Sequence, residues 1–144
     1  MPYQVIYSSV SSTPLEIDDL EDILESAQIA NASESITGAL VYVDGHFLQV
    51  LEGEQKAVED LMRRIVKDLR HEAVDVLHAG DVTEATFRDW QMAYVSATPE
   101  QIAVWAGLPA QSPLPHVWQS IRQSTDKAAQ MRASILSALP PASV

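Results

Sequence analysis

Ile36-Thr37-Gly38-Ala39-Leu40-Val41-Tyr42-Val43-Asp44-Gly45-His46-Phe47-Leu48-Gln49-Val50-Leu51-Glu52-Gly53 contains two apolar runs joined by an Asp-Gly pair. Asp-Gly supplies the backbone angles of a two-residue hairpin turn, so Ile36 to Val43 and His46 to Leu51 are predicted to pair as antiparallel strands. Period two puts Phe47, Gln49 and Leu51 on one face of the second strand, with Leu48 and Val50 on the other. Both faces are apolar, so Gln49 is expected to be buried. Its two N–H donors and its carbonyl oxygen must then find partners or cost about 1 to 3 kcal/mol. A polar counterpart is therefore expected inside the fold.

Outward from this hairpin, Tyr3 to Ser9 reads as a first strand. Thr13-Pro14-Leu15-Glu16 combines an N-cap residue, proline at the first helical position and a capping-box glutamate. A helix is predicted from there to about Asn31, with Leu20, Ile23, Leu24 and Ala27 as its core stripe. After the hairpin, a helix from about Glu54 to Leu69 carries Val58, Leu61, Met62, Ile65 and Leu69 at three- and four-residue spacings. Val74 to Val82 and Trp90 to Val95 read as further strands. The order is that of a ferredoxin-like βαββαβ unit with an added fifth strand, an α+β fold whose two helices cover one sheet face.

The hairpin is apolar on both faces, so the other sheet face also needs cover. Beyond the proline-rich segment Pro109 to Pro115, a helix from about Pro115 is predicted to present Trp118, Ile121, Ala128, Met131 and Ile135 along one stripe. This tail is expected to pack on the open sheet face or on another subunit. The expected organisation is a domain over 1–96, a helical extension over 97–139 and a frayed end over 140–144.

At 144 residues the chain fits one domain. Cysteine is absent, which excludes disulfides, thiol catalysis and cysteine zinc sites and agrees with a reducing cytoplasm. No segment has the length and apolarity of a membrane span, and no secretory leader is read at the N-terminus. With 20 acidic against 9 basic residues the net charge is -11, which argues against nucleic-acid binding. The histidines, His46, His71, His78 and His116, are scattered without metal-ligand spacing, so no metal site is expected.

Tyr7 alternates with Val5 and Tyr3 on the first strand, and in a ferredoxin-like sheet that strand neighbours the one carrying Gln49. The Tyr7 hydroxyl is thus the expected partner of the Gln49 amide, although a core tyrosine bonded to a backbone carbonyl is the plainer alternative. Ile23, Ala27 and Asn31 share a helix face and could form one wall of a slot. Arg64 and Asp68 are spaced as an i, i+4 pair, by default a surface salt bridge, with His71 three residues on.

Four segments taken together resemble the BLUF family, sensors of blue light using FAD. They are Val5-Ile6-Tyr7-Ser8-Ser9, then Asn31 followed by Ile36-Thr37-Gly38-Ala39-Leu40, then Phe47-Leu48-Gln49-Val50-Leu51-Glu52-Gly53, and Asp89-Trp90-Gln91-Met92. The resemblance spans about residues 3 to 95. It implies a flavin ring held between the two predicted helices, with FAD as the cofactor and FMN as an alternative because the phosphate end is solvated. It also implies Tyr7 as the photoactive tyrosine and Gln49 as the switching glutamine. Ile23, Asn31, Arg64, Asp68 and His71 are implied to line the ring, and Trp90 and Met92, read as sharing one strand face, to relay the signal. Ala30 departs from members with a polar residue just before the asparagine.

The implied mechanism is that Tyr7 gives the excited flavin an electron and a proton through Gln49. When the charge returns, Gln49 is left rotated or tautomerised, and its changed hydrogen bond to the flavin shifts the absorption to the red. No substrate is consumed, so the chain is expected to be a non-enzymatic cytoplasmic photoreceptor that signals to a separate effector protein. A homo-oligomer is also expected, on the ground that the tail exposes Trp105 and its apolar stripe. The competing classes are an acylphosphatase-like hydrolase, disfavoured because the Ser8 to Pro14 loop has no arginine and no glycine to cradle a phosphate, and a ligand-free interaction domain.

Overall fold

The Asp44-Gly45 turn sets the centre of the sheet. Asp44 and Gly45 have φ of 46° and 78°, the pair of positive angles that a type I′ turn requires, so β2 (Thr37–Val43) folds directly back onto β3 (His46–Gly53). The computed structural model describes residues 1–11, 25, 28 and 34–139. β1 (Tyr3–Ser11) lies on the other side of β3, and β4 (His71–Asp81) lies outside β1. β5 (Ala93–Ser96) runs parallel to β2, which completes a five-stranded sheet of order β4-β1-β3-β2-β5. The first four strands pair antiparallel, as in the ferredoxin-like arrangement, and the parallel fifth is the added one.

Each sheet face has its own core. Val5, Tyr7, Leu40, Phe47 and Leu51 face α1 (Gln55–Val66), which contributes Val58 and Leu61. The helix predicted over Leu15 to Asn31 lies outside the described residues, apart from helical Glu25 and Gln28. On the opposite face Ile6, Ala39, Val41, Leu48 and Val50 are covered by the chain's own C-terminal helices, α2 (Pro99–Trp105), α3 (Leu114–Gln123) and α4 (Thr125–Ala138).

Several boundaries differ from the sequence expectation, each for a local reason. The tail is not one helix from Pro115. Ser124 is extended at φ -144° and accepts from the Lys127 N–H as the N-cap of α4, which separates α3 from α4. α2 falls inside the helical extension expected over 97–139 but before the helix placed from Pro115, and Thr98-Pro99-Glu100-Gln101 carries a full capping box with proline at the first position, the same signal that Thr13-Pro14-Leu15-Glu16 carries. Trp105, expected to be exposed, is partly buried against the tail-side core, and the stripe Trp118, Ile121, Ala128, Met131 and Ile135 is fully used inside the chain. That stripe is therefore not open to a second copy.

The helix predicted to reach Leu69 stops at Val66. Asp68 Oδ1 accepts from the Arg70 backbone N–H at 3.0 Å, and the Asp68 carboxylate also holds the Arg70 guanidinium at 2.6 Å. This side-chain-to-backbone turn diverts the chain out of the helix and straight into β4. Leu69 is left 89% exposed, not in the core. Replacing Leu69 by serine is accordingly expected to change unfolding free energy by less than about 0.5 kcal/mol in urea titration, whereas Leu61→Ser, in the core, should cost several-fold more.

Candidate functional site

Strand register brings the two key side chains together. Tyr7 on β1 is directly opposite Gln49 on β3, and both point toward the α1 face because each alternates with core residues of that face, Val5 in one case and Phe47 and Leu51 in the other. Both side chains are buried, and the Tyr7 hydroxyl donates to Gln49 Oε1. The other end of the carboxamide, Nε2, donates to the Met92 sulfur at 3.4 Å. Burial, reinforced by the Asp68 carboxylate, pushes the Tyr7 phenol well above its ordinary value, so it is protonated throughout the neutral range.

His71 begins β4 and packs edge-on to Tyr7 and to Phe47, with ring centroids at 6.2 and 6.3 Å. Its Nε2–H donates to the Ile65 carbonyl at the end of α1 (2.7 Å), and Nδ1 meets the buried Ser9 hydroxyl at 2.8 Å. Two strands and a helix are thus pinned around the phenol. A bulge helps place this corner: Ala73, at φ 53°, interrupts β4 where its register against β1 shifts between Ser8 and Val10.

The expected Arg64–Asp68 pair does not form. Asp68 lies past the helix end and takes Arg70, which holds its carboxyl below the usual carboxylate range, while Arg64 pairs with Glu34 at 2.5 Å. Ile23 and Asn31, as well as Ala30, lie outside the described residues.

Trp90 and Met92 do not share a strand face. The Trp90 N–H is held by the Phe87 carbonyl at 2.9 Å in a turn, and the Trp90 carbonyl accepts from Gly38 N–H at 3.1 Å, so the strand starts only at Ala93. Met92 packs in the α1-side core, whereas Trp90 packs against the tail-side core. The main-chain carbonyl of Met92 accepts from Gln28 Nε2 at 3.1 Å, a contact that the sequence reading did not anticipate.

Glu52 is the other residue that reading missed. It is fully buried, and its carboxylate accepts from Gln4 Nε2 (2.6 Å), Thr86 N–H (2.9 Å) and Phe87 N–H (2.8 Å), so it ties β1 and β3 to the segment leading to Trp90 and Met92. The signal was present, since Glu52 shares a strand face with Leu48 and Val50, and the period-two argument that marks Gln49 as buried marks Glu52 too.

Gln49 Nε2 spends a donor on a thioether, a weak acceptor, so the buried amide has hydrogen-bonding capacity to offer a carbonyl of a planar guest. A phenol, a carboxamide and an imidazole gathered on one sheet face suit the binding of an acceptor-rich heterocycle, and the residues present fit a flavin ring. The chain belongs to the BLUF family, sensors of blue-light using FAD, whose model matches residues 3–93. It is similar to the photoactivated adenylate cyclase subunit beta of Euglena gracilis, at 38% identity over 103 residues, 71% of this chain but 12% of that protein's length. It is also similar to the dark-state structure of the BLUF protein BlrB (25% identity, TM-score 0.74, covering 96% of this chain and 97% of that one). The photo-activated state of BlsA is similar too (29% identity, TM-score 0.77, 96% of both chains). The chain is thus a flavin-binding blue-light sensor, and the hydrolase and ligand-free readings are not favoured. No helix among the described residues is long and apolar enough to cross a membrane.

Proposed function

We propose that Tyr7 and Gln49 are the photochemical pair of this sensor, that Met92 reads the state of Gln49, and that the output is a changed contact with a separate effector protein. The observation that carries this reading is the chain of contacts from Tyr7 hydroxyl to Gln49 Oε1 and from Gln49 Nε2 to Met92 Sδ. When bound, FAD supplies the absorption of blue light and an electron-accepting ring. With that ring as electron acceptor, Tyr7 would be the donor of an electron and of its phenolic proton, the proton held along its hydrogen bond toward the Gln49 oxygen, and the return of both to Tyr7 would leave nothing consumed. A carboxamide turned by 180° exchanges its donor and acceptor ends. The Met92 sulfur only accepts, so it holds Gln49 in the orientation with Nε2 toward it and loses its hydrogen bond in the other. The switch at Gln49 thereby becomes a packing change just ahead of β5.

Ile23, Asn31, Arg64, Asp68 and His71 are proposed to line the flavin. For His71 and Asp68 the support is their closeness to Tyr7, by ring contact and by charge. Arg64, half-exposed and paired with Glu34, is available to reorient toward the ring edge. FAD is the family's cofactor, and FMN in its place is part of the proposal. The proposed division is a photosensor unit over 1–96, ending with β5, and a helical extension over 97–139 that seals its second face; residues 140–144 lie outside the described residues. A cytoplasmic location agrees with the absence of cysteine. Self-association would have to use exposed residues such as Val66, Leu69 and Val76, because the tail stripe is already covered. The test is illumination of the purified, flavin-loaded protein. A red shift of the flavin band that reverses in the dark is expected, and a spectrum unchanged by blue light would remove the reading.

A further inference from the structure

Arg132 on α4 presents an unresolved charge. Its Nε and Nη1 are buried and have no hydrogen-bond partner, an arrangement that is costly for a guanidinium. Its field partners are Glu52, whose negative charge supports it, and His78 on β4, which is held toward its neutral form by burial and by Arg132. Burial weakens the arginine's own hold on its proton, and Glu52 opposes that effect. Arg132 and Leu136 are four apart on one helix face, and Leu136 lines a cleft of about 470 Å³ together with Thr86, Asp89 and Trp90. That helix face is therefore turned toward the segment that Glu52 grips.

Both Glu52 oxygens are partnered but have acceptor positions to spare, and Gln4, which donates to Glu52, has its own Oε1 buried without a partner. A carboxylate offers about four acceptor positions. Here Oε2 takes two donors, Gln4 Nε2 and Thr86 N–H, while Oε1 takes only Phe87 N–H. Two backbone groups of the 86–87 turn hold the carboxylate on one side, and a half-buried guanidinium whose Nε and Nη1 are idle acts on it from the tail. The same turn is bonded to Trp90 through the Phe87 carbonyl and lies five residues from Met92, on which Gln49 rests.

We propose that Glu52 is a shared acceptor for which the 86–87 turn and Arg132 compete, and that the exchange between them carries the light signal from Met92 into α4. In the arrangement seen here the turn holds the carboxylate, and Nε and Nη1 of Arg132 have no partner. When the Met92 segment shifts, the Thr86 and Phe87 N–H groups release Glu52 and the guanidinium closes on it, drawing α4 toward β3. Arg132 is a positioning residue in this scheme and touches neither the flavin nor Tyr7. The proposal rests on the photosensor reading above.

Hydrogen exchange of the flavin-loaded full chain, in darkness and under continuous blue light, tests it. In the unsubstituted protein, light is expected to raise exchange of the Thr86 and Phe87 amides about tenfold, with an accompanying change in α4. Arg132→Met keeps the stem and removes the charge. It should retain the red shift while the light-induced difference at 86–87 and in α4 falls to within about twofold of none. Arg132→Lys, which keeps a cation in a conservatively changed side chain, should restore part of the difference and stands in if the methionine variant does not fold. An unaltered light-minus-dark pattern in Arg132→Met overturns the proposal, as does a light-insensitive 86–87 turn in an unsubstituted protein whose spectrum shifts. Absence of any red shift instead sinks the photosensor reading, and the proposal falls with it.

Discussion

Tyr7→Phe is expected to bind flavin and to lose the reversible red shift completely. Phenylalanine keeps the ring that packs beside His71 and Phe47, so the sheet face remains filled. What disappears is the hydroxyl donor to Gln49 Oε1, and with it the proposed source of the electron and proton that switch the carboxamide. Leaving Gln49 Oε1 without that donor should also lower stability by roughly 1 to 3 kcal/mol, measurable by urea titration in the dark. The pH dependence follows from the buried phenol. Its folded-state value is raised, so Tyr7 keeps its proton and the photoshift should be flat with pH across the neutral range as far as this group is concerned. The stability that comes from keeping it protonated is fully present below the unfolded tyrosine value of about 10 and is lost as pH rises above it. A difference spectrum of Tyr7→Phe that matches the unsubstituted protein under the same illumination would rule out the assigned role.

The parts of the site that were legible in the sequence are those governed by strand periodicity. Gln49 stands out because a carboxamide occupies a doubly apolar strand, the turn chemistry of Asp44-Gly45 fixes the hairpin that carries it, and the ferredoxin-like strand order puts it beside Tyr7 on β1. What was not legible depended on competition between local contacts. Arg64 and Asp68 have helical spacing, but Asp68 captures the Arg70 backbone, ends the helix early and frees Arg64 for Glu34, a partner that spacing cannot reveal. Trp90 and Met92 alternate as strand residues do, yet the Phe87–Trp90 turn and the Gly38–Trp90 bond take the backbone groups that a longer β5 would need. That displacement sends Trp90 to one core and Met92 to the other. A relay through this segment can therefore address the flavin side with one residue and the tail side with its near neighbour.

Gly38→Ala is expected to be the most damaging small substitution in the chain. A Cβ at Gly38 would lie 1.9 Å from the Val50 carbonyl oxygen, a backbone atom in the middle of the sheet, so no side-chain rotation relieves the clash. The β2–β3 pair would have to separate, at a cost of about 3 kcal/mol or more against a total stability of roughly 5 to 15 kcal/mol for a domain of this kind. The lesion also falls on the proposed signal route, because Val50 follows Gln49 directly and Gly38 N–H holds the Trp90 carbonyl. Molecules that still fold should therefore show a weakened flavin site and a distorted link from Gln49 to Met92. Gly80→Ala is the matched control: it lies on the edge strand β4, a Cβ there meets nothing within 4 Å, and its effect should be within about 0.5 kcal/mol. Urea unfolding of both variants, with flavin retention measured alongside, distinguishes the two. Equal stability would mean that β2 and β3 do not meet in the register that sets Gly38 against Leu51 and Leu40 against Gln49, and the hairpin that carries Gln49 would have to be rebuilt from a different pairing.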